Sequence, residues 1–214
     1  MSDICILYVG NSFIFTGDVP WQLSSIVSKH GIEIAYRDIS AGGATLTSSM
    51  VNAIQEMQKV QFDYVVLQDQ SSRPLRDIEG FYSDVRILCD AAKENGAIPV
   101  LYNPAWANID GQPDEETQNI LTAAYKQAAD ENDAILVNAG DAWVYAYNTI
   151  PNLSLYAEDM LHANDAGAFL TACVFAATLF DLHITDVRQN DNHYSGGNAT
   201  TLAQAAWDFA NTSS

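Results

Sequence analysis

Basic side chains are scarce in this sequence: nine Lys and Arg stand against 27 Asp and Glu in 214 residues, a formal charge of −18. A surplus of that size repels phosphate backbones and anionic headgroups, so neither nucleic acid nor a membrane is expected as a partner. Cysteine is scarce too. Cys5, Cys89 and Cys173 are odd in number, and each lies in an apolar stretch, outside any spaced disulfide or zinc framework. That pattern reads as buried free thiols in a reducing compartment. No apolar run is long enough to span a bilayer, and the chain opens into a strand without the charged and apolar regions of a leader. A cytoplasmic location is therefore the expectation. No Walker or dinucleotide fingerprint occurs, and the single glycine after the first strand gives no run of amides to cradle a phosphate, which weighs against nucleotide binding.

What is present is a regular alternation. Apolar runs of strand length fall at 4–9, 32–39, 64–68, 98–102 and 134–138, and stretches of helical period at 21–29, 46–60, 80–95 and 114–131. Strands alternating with helices of ten or more residues make βαβ units, and right-handed crossovers then force a parallel sheet covered on both faces. The expected fold is a three-layer α/β/α sandwich with a flavodoxin-like five-stranded parallel sheet, order 2-1-3-4-5, in one domain over 1–214. A short helix near 142–147, a helix at 164–182, a polar segment at 185–198 and a last helix near 200–210 follow the fifth strand. Loops 10–20, 40–45, 68–79, 103–113 and 139–162 then open on one edge of the sheet, where such folds keep their ligands.

Three features on that edge carry chemistry. Gly10-Asn11-Ser12 closes the first strand and sets a hydroxyl at the carboxyl edge, so Ser12 is the candidate nucleophile. Asp159-Met160-Leu161-His162 is the second feature: a carboxylate three residues before an imidazole can fold back onto one ring nitrogen and leave the other free as a base. The plainer alternative is that Asp159 and Asn164 cap the next helix, with His162 on the surface. Donors for a developing oxyanion are the third. The glycine pair in Ser40-Ala41-Gly42-Gly43 can bring a backbone N–H close to a ligand, or can serve only as a turn, and Gln68-Asp69-Gln70 places amides after a buried strand.

Together these residues resemble the SGNH hydrolase superfamily of GDSL-like esterases and lipases, through four blocks between Leu7 and about Leu170. Gly10-Asn11-Ser12 is similar to the first block, Gly43 to the glycine of the second, and Asp159 with His162 to the Asp-x-x-His of the last. The third block departs from the family. Where Gly-x-Asn-Asp is usual, this chain reads Gln68-Asp69-Gln70, with Gln70 in the asparagine's place. The resemblance implies a serine esterase without metal or organic cofactor. Its catalytic residues would be Ser12, His162 and Asp159, and the N–H groups of Ser12 and Gly43 with the Gln70 amide would form the oxyanion hole. It also implies small polar esters as substrates, O-acetyl groups on carbohydrate among them. The alternative is a non-catalytic carbohydrate-binding module that keeps the fold, motivated by Gln70.

Other residues weigh less. Asn11, Phe13, Asn103 and Trp106 are candidate substrate contacts, with Asn108 beside them, because they flank Ser12 or follow the fourth strand. His30 and His183 stand at helix ends where they complement the dipole, and His193 is the only rival base. Arg73 and Arg76 read as neutralising Asp77 and Glu79, with a substrate carboxylate as the alternative.

Overall fold

A computed structural model describes residues 3–107, 110–184, 194 and 196–212. Its sheet has five parallel strands, β1 (Ile4–Val9), β2 (Ile34–Asp38), β3 (Tyr64–Leu67), β4 (Ile98–Asn103) and β5 (Ile135–Asn138), in the order β2-β1-β3-β4-β5. The order and class are those read from the sequence. Strand periodicity splits the core in two. Ile6, Tyr8, Val66, Val100 and Tyr102 face one layer, and Leu7, Val9, Val65, Leu67 and Leu101 face the other.

Helices α2 (Val19–Ser28), α7 (Ala139–Thr149), α8 (Asp165–Phe180) and α9 (Ala199–Thr212) cover the first face. Helices α3 (Leu46–Lys59), α5 (Ile78–Asn95) and α6 (Glu115–Glu131) cover the second. α8 is buried all round from Ala166 to Ala177 because α2 and α9 wrap it, and each fully buried Phe169 or Phe175 side chain contributes about 1.5–3 kcal/mol. Side chains start the helices where the chain needs them to start. Thr45 and Ser48 form a capping box on α3, Asp77 caps α5 through Gly80 N–H, and Asp114 caps α6 through Thr117 N–H.

Two short helices lie in segments read as loops: α1 (Ser12–Phe15) and α4 (Arg73–Arg76). Four residues complete barely one turn, so they leave no apolar period to detect. α7 begins directly at the end of β5, because the Asn138 side chain accepts from Asp141 N–H and caps it there. The segment carrying Asp159 and His162 therefore joins α7 to α8 and does not leave β5 directly. His193, Asn108 and most of the 185–198 segment lie outside the described residues.

Candidate active site

The strand order reverses between β1 and β3, and the loops leaving those two strands are tied together at that crevice. Gly10 makes the approach possible. A Cβ there would lie 2.6 Å from Ile14 Cδ1 and 3.0 Å from the Gln68 carbonyl oxygen, and the carbonyl cannot yield. The next residue locks the contact: Asn11 N–H donates to Gln68 Oε1 at 3.2 Å, and Asn11 Nδ2 donates to the Ala44 carbonyl at 3.0 Å. Its Oδ1 accepts from Phe13 N–H and caps α1, whose first residue is Ser12. Asn11 is thus 2 % exposed with both ends of its amide used by the protein. Its expected role as a substrate contact is corrected: it holds the first and second blocks together.

Ser12 Oγ lies 2.7 Å from His162 Nε2, across 150 residues of chain. On the other side of the ring, Nδ1 lies 2.6 Å from Asp159 Oδ2. A carboxylate only accepts, so Nδ1 carries the proton, and in the neutral imidazole Nε2 is left to accept from the serine hydroxyl. The second carboxylate oxygen accepts from the backbone N–H groups of Leu161 and His162 at 3.0 and 2.9 Å. The imidazole bond, with those two N–H groups behind it, holds the Asp159 carboxyl down at about 2. Asn164, and not Asp159, caps α8, so one half of the plainer reading holds.

The turn bearing the pair is braced from outside. Tyr156 bridges Ala163, Ala157 N–H donates to the His162 carbonyl, and Met160 takes a left-handed φ of 56° to close the turn. Gly111 of the loop after β4 packs against Met160, where a Cβ would come within 3.2 Å of its Cγ. Phe13 lies against the His162 ring with centroids 5.6 Å apart.

Two of the expected oxyanion donors lie in the loops that follow β2 and β3. Gly43 adopts φ 67°, favoured by glycine, in the turn closed by Ala44 N–H to the Ala41 carbonyl. Among the described residues, no acceptor is bonded to the backbone N–H of Ser12 or of Gly43. The two glutamines of the third block differ in what they can offer. Gln68 is fully buried, with Oε1 on Asn11 and Nε2 on the Asp69 carbonyl. Gln70 is half-buried, and its Oε1 accepts from Ser72 N–H and Oγ–H at 3.0 and 2.8 Å, while among the described residues Nε2 has only a 3.4 Å contact to Ser71 Oγ.

Asp69 between them was not singled out by sequence reasoning. It is fully buried, and its Oδ1 accepts from Leu46 N–H at 2.9 Å and Gln70 N–H at 2.7 Å, so one carboxylate joins the start of α3 to the third block. Burial pushes its pKa up. The only signal in the sequence was an acid directly after a buried strand.

Asn103 is corrected as well. It is fully buried, and its Nδ2 donates to Thr122 Oγ1 at 3.0 Å and Asn138 Oδ1 at 2.8 Å. Alternation along β4 turns it with Leu101 toward α6 and away from Tyr102. Trp106 is half-buried, and its backbone is fixed by Gln118 Oε1 and by the Tyr156 hydroxyl, which links its loop to the segment of His162. Arg73 is spent on Asp77, Asp84 and Thr47, and His183 stacks on Trp207. Among the described residues, no group of three or more His, Cys, Asp or Glu side chains is placed to hold a metal ion, and no helix is long and apolar enough to cross a membrane.

No protein-family model matches the sequence, and no curated protein matches it. Solved structures do. A protein from Slackia heliotrinireducens assigned to the SGNH hydrolases is 26 % identical, with a TM-score of 0.70 over 83 % of this chain and 100 % of that one. A DUF4886 family protein from Bacteroides uniformis superposes with a TM-score of 0.76 at 16 % identity, over 97 % of this chain and 94 % of its own. The acetylxylan esterase Axe2 from Geobacillus stearothermophilus gives 0.69 at 14 %, over 87 % and 98 %. At such identities the last two share the fold.

Proposed function

We propose that the chain is an SGNH hydrolase and, within that superfamily, a serine esterase acting on small polar carboxylic esters through an acyl-enzyme. The observation that carries the proposal is the unbroken hydrogen-bond chain from Ser12 Oγ through the His162 ring to Asp159. Ser12 Oγ attacks the ester carbonyl as Nε2 takes its proton. The imidazolium, supported by the Asp159 carboxylate, returns that proton to the leaving alcohol. Water then attacks the acyl-serine with the same base, and the acid departs. The N–H groups of Ser12 and Gly43 and the Gln70 amide receive the charge that builds on the carbonyl oxygen, where a single donor of this kind is worth about 10²–10³ in rate. All these groups are the protein's own, and the cycle uses no cofactor.

O-acetyl groups on carbohydrate are the substrate class favoured, because an acetylxylan esterase is among the structures of this fold and Trp106 offers a half-buried ring in the loop tied to the His162 segment. The test is a chain-length panel together with a sugar substrate. The expected result is faster turnover of 4-nitrophenyl acetate than of the octanoate ester, and acetate release from an acetylated xylo-oligosaccharide. Preference for the octanoate would overturn the substrate class. Sugar binding without release of any acid would favour the binding module.

A further inference from the structure

Glutamine at position 70 raises a question that the asparagine usual there does not. Its stem is one methylene longer, so its amide has one more rotatable bond, and a carboxamide that turns end for end offers the oxyanion either two N–H donors or a repelling carbonyl. The geometry points to Ser72 as the residue that settles this: it is a positioning residue that latches Gln70 with its N–H groups outward. The inference rests on the esterase reading and on Gln70 as an oxyanion donor.

Four observations carry it. Both lone-pair sites of Gln70 Oε1 are taken by Ser72, through N–H at 3.0 Å and Oγ–H at 2.8 Å. Reversing the amide would set its NH₂ against the Ser72 N–H, which can only donate, and would turn the Ser72 hydroxyl from donor to acceptor, so the carbonyl end is fixed and the NH₂ end is the one left over. Among the described residues that end has only the 3.4 Å contact to Ser71 Oγ. Second, Ser72 is the N-cap of α4, yet its hydroxyl makes no capping bond to that helix. A serine in this position ordinarily accepts from the helix's first N–H groups, and here its one proton goes to Gln70. Third, the Gln70 backbone is held independently, its N–H on Asp69 Oδ1 at 2.7 Å and its carbonyl on Arg73 N–H at 2.8 Å, so the side-chain torsions are the freedom that remains. Fourth, Gln68 is fully buried, with Oε1 on the Asn11 N–H and Nε2 on the Asp69 carbonyl, so its amide is turned to the protein and not to the opening. Ser72 is itself 8 % exposed, which shields its bonds from competing water.

A double-mutant cycle on the full chain tests this, reading kcat and KM for 4-nitrophenyl acetate with thermal melting alongside. Ser72→Ala removes one of the two latching bonds, and kcat should fall about fivefold with KM nearly unchanged, as expected for one hydrogen bond acting on transition-state stabilisation alone. Ser72→Thr keeps both donors and should restore the rate. In the Gln70→Ala background the further loss from Ser72→Ala should shrink to less than about twofold, because there is no amide left to orient. An equal loss in both backgrounds would mean that Ser72 acts on the fold and not on the amide, and would overturn this inference alone. A Gln70→Ala enzyme with unchanged kcat would instead remove the amide from the oxyanion site and overturn the reading beneath it.

Discussion

Replacing Ser12 with Ala should lower kcat toward a short aryl acetate by about four to six orders of magnitude, the loss seen when a serine nucleophile is removed and only binding and oxyanion stabilisation remain. The fold should survive. Ser12 opens a four-residue helix capped by Asn11, and the hydroxyl's partner among the described residues is His162, so the change deletes about one hydrogen bond's worth of stability, ~1 kcal/mol. A melting midpoint within a few degrees of wild type, measured beside the kinetics, separates loss of chemistry from loss of structure. Hydrolysis persisting above about 1 % of wild type would show that another group attacks the ester.

The second large effect concerns the imidazole and its carboxylate. His162→Ala should match Ser12→Ala, since the two act as one unit and neither is useful alone. Asp159→Asn is subtler. An amide in place of the carboxylate can donate to Nδ1, which moves the ring proton to Nε2 and turns that nitrogen into a donor facing the Ser12 hydroxyl, the wrong tautomer for a base. The expected loss is about 10²–10³ in kcat. It is smaller than for a buried triad carboxylate because the Asp159 side chain is 49 % exposed and water can partly substitute.

The Asp159 carboxyl is depressed from 3.8 to about 2, so it stays ionised through the mildly acidic range. The sign for stability follows from the same depression. The contribution of the Asp159–His162 contact is complete above the unfolded value and fades as pH falls from about 4 toward 2. Urea midpoints of wild type and Asp159→Asn should therefore differ at pH 5 and converge near pH 2. With half the carboxylate in water, the difference at pH 5 is expected to be modest.

Strand positions and their order were legible because long periodic segments record their burial in the spacing of apolar residues. The meeting of Ser12 with the Asp159 and His162 pair was legible from the residue types, a hydroxyl just after the first strand and an Asp-x-x-His late in the chain; that the pair rides on the segment between α7 and α8, and not on a loop leaving β5, was not. Orientation at the carboxyl edge of the sheet was not legible either. Asn103 follows an apolar strand as Gln70 does, yet the last position of β4 turns it under α6 toward Thr122, and alternation at a strand end cannot be fixed without knowing where the strand stops. Asn11 looked like a pocket residue and is a brace, because what consumes its amide is the Ala44 carbonyl 33 residues away. Ser72 left no mark that distinguishes it from an ordinary loop residue, and Asp69 only its place directly after a buried strand. Their roles exist only as distances, from Ser72 to Gln70 and from Asp69 to Leu46 and Gln70.

The central claim is that His162 activates the Ser12 hydroxyl, and a fluorophosphonate tests it most directly, because only a base-activated serine is phosphonylated. Intact-mass and peptide mapping after labelling should find one adduct, on Ser12, in the wild-type protein and none in His162→Ala. An unlabelled wild-type protein, or an adduct on a different serine, would contradict the account.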